Sequence, residues 1–169
     1  MSAADQILKN LNLFADGYGF AGNITDFTPP ALKITEVAYN AGGLDTPINL
    51  DMGLQALTCS FSLSKFSPQV FKLWGLTDAS GKQFTVRGAV ESLNGTVEPI
   101  VIRMTGNLRQ IEPGTWKPGA VLSAKFTVSL LAYTFEQNGT TIHDIDVLNM
   151  KRVINGVDQL SAVRTAIGI

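Results

Sequence analysis

The sequence predicts a mainly β protein, an antiparallel β-sandwich or barrel, and three observations support that fold class. Apolar and polar residues alternate with period two along several segments, as they do in strands that bury one face. The pairs Asp16-Gly17, Asn94-Gly95 and Asn138-Gly139 separate alternating segments, and such pairs favour tight hairpins because both turn residues need positive φ. Only two short segments have helical signals, so we expect the strands to pair directly with one another.

The alternating segments predict strands along most of the chain. Between Leu32 and Asn40 the apolar positions change phase, which indicates a β-bulge. From Leu57 to Leu63 every odd position is apolar and every even position is Ser or Thr, so one face should be buried. Three later segments alternate in the same way, namely 84–92, 100–109 and 124–135. In the last of these both faces become apolar towards Phe135, so both should be covered there.

Two short helices are predicted beside the strands. Ser67 and Pro68 are typical of a helix start, and Gly75 ends the apolar turn that follows, which should plug the sheet. Near the C-terminus Asp158 can cap a second helix that Gly168 ends. Its apolar residues recur at helical spacing, so we expect it to dock on the sheet.

The segment from Asn40 to Gly53 is predicted to be a long loop between two strands. Connections of this length in a compact domain are usually functional, and this one carries apolar side chains that need a partner to cover them. The sequence therefore predicts an interaction loop, whose candidate residues are Gly42, Gly43, Leu44, Asp45, Pro47, Ile48, Leu50 and Met52.

Composition limits the classes of function. The 169 residues suit one domain, 1–169, and the formal net charge of -1 argues against a strongly basic nucleic-acid binder. Charged residues make up 16% of the chain, fewer than in most soluble domains, which is consistent with a surface partly covered in an assembly. The N-terminus is not expected to be a secretory signal, and no segment is long and apolar enough for stable membrane insertion. The single cysteine, Cys59, is expected in the core and indicates folding in the cytoplasm.

The sequence contains no convincing catalytic, metal-binding or cofactor-binding motif. His143 is the only histidine and has no nucleophile motif around it, so a partly exposed strand position is the simpler interpretation. Asp144 and Asp146 share a strand face but lack the ligand spacing of a calcium loop. Gly17, Gly19 and Gly22 have dinucleotide-fingerprint spacing without the strand and helix that it requires, so they are interpreted as a hairpin turn. We therefore expect no enzyme activity, no cofactor and no metal.

Three segments together resemble a known family. They are AGGLDTPINLDMG at 41–53, EPGTWKPG at 112–119 and INGVDQLSAVRTAIGI at 154–169. Their order and spacing are similar to those of the major tail tube proteins of P2-like contractile-tailed phages and R-type pyocins. The resemblance extends over essentially the whole chain.

This resemblance implies a tail tube fold, a β-sandwich or barrel with one short flanking helix, a long inter-strand loop and a short C-terminal helix. Six copies would close into a ring, and rings would stack into a hollow rigid tube in the tail of a virion or pyocin particle, assembled in the bacterial cytoplasm. The implied partners are other copies of the chain, the tail sheath, the tape-measure protein, the tail terminator and the baseplate or tube initiator. In a phage, DNA would pass through the tube.

Two other functions are compatible with the strands alone. A small-molecule-binding β-barrel would also use long alternating strands and a mouth loop, and it predicts an apolar interior cavity in a stable monomer. A hydrolase built around His143 predicts that His143→Ala abolishes an activity without changing assembly. The resemblance favours the tube subunit over both.

Overall fold

The computed structural model describes residues 6–76 and 79–169, and most of them lie in antiparallel strands. The helices are α1 (Pro68–Phe71) and α2 (Ser161–Ile167). The strands are β1 (Ile7–Ala15), β2 (Tyr18–Gly19), β3 (Ile24–Thr28), β4 (Ile34–Tyr39), β5 (Ile48–Leu54), β6 (Thr58–Leu63), β7 (Lys82–Glu91), β8 (Val97–Glu112), β9 (Ala124–Gln137), β10 (Thr140–Asp146), β11 (Lys151–Ile154) and β12 (Val157–Asp158). None of the helices in these ranges is long and apolar enough to cross a lipid bilayer.

The main sheet branches at β9. Its strand order is β12-β11-β10-β9-β8-β7-β1-β2, and every neighbouring pair is antiparallel. The first half of β9 also pairs with β6, whose other neighbour is β3, while the second half pairs with β10. Because β3 also contacts β1, the strands curve around a common core. This confirms the predicted antiparallel, barrel-like class.

Phenylalanines fill the middle of the curved sheet. Phe61, Phe84 and Phe126 are each at most 1% exposed, and the Phe61 and Phe126 rings stack with centroids 5.2 Å apart. Helix α1 closes one end with Val70, which is fully buried, and with Phe71, whose ring meets Phe126 edge-on at 5.5 Å. The predicted plug is confirmed. The odd positions from Leu57 to Leu63 are buried as predicted.

A bulge in β9 changes which face is buried. Gly106 of β8 pairs with Leu130, but the preceding Thr105 pairs with Ala132, so Leu131 is an extra residue. The buried positions then shift from Leu130 to Tyr133, which explains why both faces become apolar in this part of the sequence. A Cβ at Gly106 would lie 2.2 Å from the Ser129 carbonyl oxygen, so only glycine fits there.

Two of the predicted tight hairpins are confirmed and one is wrong. Asp16-Gly17 joins β1 to β2 and Asn138-Gly139 joins β9 to β10, and all four residues have positive φ. Asn94-Gly95 instead lies inside a longer connection, residues 92–96, in which only Gly95 of the pair has positive φ. The Asn94 side chain accepts a hydrogen bond from the Thr96 amide, which stabilises this wider turn.

The C-terminal helix does not dock on the sheet through apolar residues, as the sequence predicted. No residue of α2 is buried, and Val163 and Ile167 are exposed. Polar contacts hold α2 instead, since Arg164 donates to the Met150 carbonyl and forms an ion pair with Asp158. The prediction that Asp158 caps the helix is wrong, because Leu160 is the N-cap residue and no side chain caps the first turn; the Asp158 carboxylate instead accepts the Leu160 amide just before the helix. Helical periodicity shows which face is apolar but not whether the same chain covers it.

Candidate inter-subunit interface

Strands β4 and β5 form a separate two-stranded hairpin, here called the arm (residues 34–54). Residues 40–47 connect the two strands at the tip. The predicted long loop from Asn40 to Gly53 is therefore wrong for residues 48–53, which belong to β5. The apolar residues Ile48, Leu50 and Met52 occupy alternate positions, and this spacing is the period of a strand.

A bulge shapes the base of the arm next to the predicted phase change, but its extra residue lies in β5 rather than in the segment 32–40. Ile34 pairs with Leu54 and Glu36 with Asp51, so the register shifts by one residue between these pairs. Gly53 adopts φ +106° there, and its amide donates a 2.8 Å hydrogen bond to the Asp51 carboxylate. The Gln55 amide then bonds the Lys33 carbonyl at 2.9 Å and closes the base.

One face of the arm is apolar and exposed to solvent. Val37 lies opposite Leu50 and Tyr39 lies opposite Ile48, so these four side chains share a face. Their exposed fractions are 46–53%, and Met52, two positions beyond Leu50, is 63% exposed. A contiguous apolar face of this kind on a projecting hairpin is typical of a surface that another molecule covers.

The opposite face of the arm is polar and turned towards the main sheet. Asn49 donates a 3.0 Å hydrogen bond to Glu36 across the hairpin. The Arg152 guanidinium of β11 donates to the Asp51 carboxylate at 2.7 Å. This hydrogen bond, followed by the one from Gly53, lowers the pKa of Asp51 below its usual value. The polar side chains of the arm are thus bonded within the hairpin or to the main sheet, whereas its apolar side chains remain exposed, the pattern expected for an intermolecular contact.

The tip carries the remaining predicted residues in a tight, exposed turn. Gly42 and Gly43 lie at the turn, Gly43 adopts φ +93°, and the Leu44 amide bonds the Ala41 carbonyl. Leu44 is 40% exposed, and Asp45 and Pro47 are exposed beside it. The structure thus brings all eight predicted residues onto one projecting element. Sequence reasoning missed Val37 and Tyr39, which the period of β4 could have placed opposite Leu50 and Ile48.

The residues considered for chemistry are placed in structural roles. Asp144 forms an ion pair with Lys151, and Asp146 accepts two hydrogen bonds from Asn149. His143 is partly buried, with its ring 6.0 Å from that of Phe135. Burial raises the pKa of the Cys59 thiol to about 12. Within residues 6–76 and 79–169, no three His, Cys, Asp or Glu side chains are grouped to hold a metal ion.

Within residues 6–76 and 79–169, the packed phenylalanine rings described above fill the space between the curved strands, which is where a small-molecule-binding barrel would have its cavity. Two apolar hollows lie instead between the base of the arm and the main sheet. One has a volume of about 270 Å³ and contacts Leu54 and Met150, and the other has about 470 Å³ and contacts Ile34 and His143.

Comparison with known proteins agrees with this geometry. The tail tube protein of Escherichia phage P2 is 28% identical over 166 residues, an alignment that covers 96% of each chain. Among solved structures, a chain of the extended sheath-tube complex of the PVC extracellular contractile injection system superposes with a TM-score of 0.58 at 8% identity, covering 75% of this chain and 87% of that one. Hcp1 from Flavobacterium johnsoniae superposes with a TM-score of 0.51 at 13% identity, covering 83% and 99%.

The two structural likenesses, at such low identity, show a shared fold. Family membership is shown instead by sequence similarity, which extends over nearly the whole chain rather than over one motif. The family described as phage tail tube protein FII matches residues 5–168, almost the entire chain. The protein therefore belongs to the phage tail tube protein FII family and is a structural subunit of a tail tube.

Proposed function

We propose that six copies of this subunit close into a ring and that the rings stack into a hollow, rigid conduit. Contraction of an outer sheath would drive the conduit through the envelope of a target cell. The observation that carries the proposal is the arm, a hairpin whose apolar face is turned away from its own subunit. An isolated domain would not gain stability from such a face, whereas a subunit in a repeating assembly would bury it.

Free strand edges support ring closure. Strand β1 pairs with β7 along one edge, but on its other edge it pairs with β2 only at Phe14 and Ala15. The Leu13 carbonyl accepts the Phe20 amide, but from Ile7 to Asn12 no strand of the described residues pairs along that edge, so it can accept a neighbouring strand. Exposed edges of this kind promote association, and closing a sheet across a ring removes them.

The arm gives the head-to-tail contact that stacking requires. We infer that Leu44, Ile48, Leu50 and Met52 bury against the adjacent subunit or ring, while Gly42, Gly43, Asp45 and Pro47 shape the tip. A contact between two different surfaces of the same molecule, repeated along an axis, builds an open filament. A tube is such a filament with a ring as its repeating unit.

The proposed role as a tube subunit also implies partners other than copies of this chain. The whole chain, 1–169, would act as one tail tube domain, with no catalytic step. In the particle it would contact the sheath on the outside and the tape-measure protein inside during assembly, with the terminator and the baseplate initiator at the two ends. DNA would pass through it only in a phage. We infer that assembly takes place in the cytoplasm of the bacterial host.

Shortening the arm tests this proposal. Tyr39 and Ile48 are directly opposite, so residues 40–47 can be replaced by Asn-Gly, the pair that suits a two-residue hairpin. We expect the variant to retain the native circular dichroism spectrum and melting temperature but to sediment as small species at concentrations where the native chain pellets. Pelleting of both proteins at the same concentration would contradict a role for the tip.

A further inference from the structure

An ion pair joins the arm to the main sheet across 101 residues of sequence. The Asp51 carboxylate lies on the polar face of β5, and the Arg152 guanidinium reaches it from β11 at 2.7 Å. Arg152 is held firmly, since its side chain is only 13% exposed. Its backbone is also fixed, because it pairs with Ile145 and its carbonyl accepts the Gln159 amide. The anchor on the main sheet is therefore a rigid one.

The packing around this ion pair is loose. The two apolar hollows adjoin it, and Leu54, Ile145 and Arg152 border both. Every residue of β4 is exposed, so β4 does not pack into the core. The glycine bulge at Gly53 lies at the same level as the ion pair and is a place where the hairpin can bend. Without the ion pair, little would hold the arm at one angle.

We propose that the Asp51–Arg152 pair is a latch that fixes the direction of the arm and so presents its apolar face for docking. Asp51 and Arg152 are positioning residues in this account, which rests on the proposed tube function. When the latch is removed, the arm pivots at its base and points in more than one direction. The docking-ready orientation is then only one of several that the free subunit adopts.

Loss of the ion pair should weaken assembly, because fewer free subunits would have the arm in the orientation that docks. When only a fraction of the subunits is in the binding-competent state, the apparent dissociation constant rises by the reciprocal of that fraction. If the latch keeps most arms aligned and its loss leaves about one in ten aligned, the critical concentration for tube growth rises about tenfold. Because Arg152 is only 13% exposed, the melting temperature of Asp51→Asn serves as the check that leaving its guanidinium without a charge partner does not also unfold the main sheet.

Two conservative variants and their combination test the latch. Asp51→Asn keeps the oxygen that accepts the Gly53 amide but removes the charge, and Arg152→Gln removes the partner charge. We expect each variant to raise the critical concentration about tenfold and the double variant to raise it no further, because both changes break one interaction. Multiplied effects in the double variant, or faster growth of either single variant, would overturn the proposal.

A second readout does not depend on tubes. Fluorophores at Ala41→Cys on the arm and Thr140→Cys on the main sheet report the direction of the arm by single-molecule energy transfer, while the buried Cys59 stays unlabelled. We expect one narrow efficiency peak for the native subunit and a broadened distribution for Asp51→Asn. Identical distributions would overturn the latch.

The Arg103–Glu136 pair provides the matched control, since it has the same 2.7 Å separation but lies within the main sheet. Glu136→Gln should therefore leave the energy-transfer peak unchanged, and broadening equal to that of Asp51→Asn would count against a specific latch. If the native chain forms no tubes under any condition, the proposed function fails. The energy-transfer result still decides whether the ion pair orients the arm.

Discussion

Ile48→Asp and Leu44→Asp should each give a folded subunit that does not grow tubes. Both side chains are exposed in the isolated subunit, so an aspartate costs the fold little. At the proposed contact the carboxylate would be buried without a partner, at a cost of several kcal/mol. A loss of about 3 kcal/mol per contact raises a dissociation constant more than 100-fold. Electron microscopy and the melting temperature together check both parts of this expectation.

The opposite face of the arm provides a matched control for these variants. Ala38 lies across from Asn49 on the polar face, one position from Tyr39. Ala38→Asp adds the same charge to the same hairpin, and we expect it to leave tube growth much less affected. If Ile48→Asp and Leu44→Asp form tubes of normal length, the interface does not include the apolar face of the arm. If Ala38→Asp is as damaging, the effect depends on charge rather than on the face.

Phe126→Ala should produce the largest loss of stability of any single truncation in the core. Phe126 is fully buried, stacks on Phe61 and meets Phe71 edge-on, so it joins β6, β9 and α1. Removing a buried phenylalanine ring costs about 3–5 kcal/mol, out of about 5–15 kcal/mol for a typical domain. Urea unfolding followed by circular dichroism measures this change.

Thr127→Ala, at the neighbouring position in β9, is the control variant for Phe126→Ala. It is half-buried on the opposite side of β9, so Thr127→Ala should change the free energy of unfolding by less than about 1 kcal/mol. Phe126→Ala is expected to abolish tube growth at 37 °C because the subunit is partly unfolded. A loss below about 1 kcal/mol for Phe126→Ala would mean that the aromatic cluster is not the centre of the core.

Sequence patterns correctly predict several features that are decided by residues close together in the chain. The strict alternation from Leu57 to Leu63, the two Asn-Gly and Asp-Gly hairpins and the Ser67-Pro68 helix start are all present as expected. Each of these depends on residues that are neighbours in sequence. The resemblance to tail tube proteins also predicts the family, and the family match over residues 5–168 confirms that prediction.

Apart from the local turn at Asn94-Gly95, the wrong predictions concern features that distant residues decide. The sequence predicts a loop over residues 48–53 because β5 leaves most of both its faces exposed within its own subunit, so its period of two does not separate a buried face from a polar one. The exposure of α2 depends on what surrounds it, which helical spacing does not encode. The ion pair between Asp51 and Arg152 joins residues 101 apart, so no local pattern could reveal it. Four of the eight candidate residues, Leu44, Ile48, Leu50 and Met52, are predicted from their apolar side chains, whereas their exposed, projecting position depends on the three-dimensional structure.

Cryo-electron microscopy of the purified native chain over a range of concentrations tests the central claim most directly. We expect hollow tubes built of six-fold rings, with the apolar face of each arm covered by a neighbouring subunit. Uniform monomers at every concentration, persisting after a tube initiator is added, would contradict the assembly proposed for this chain.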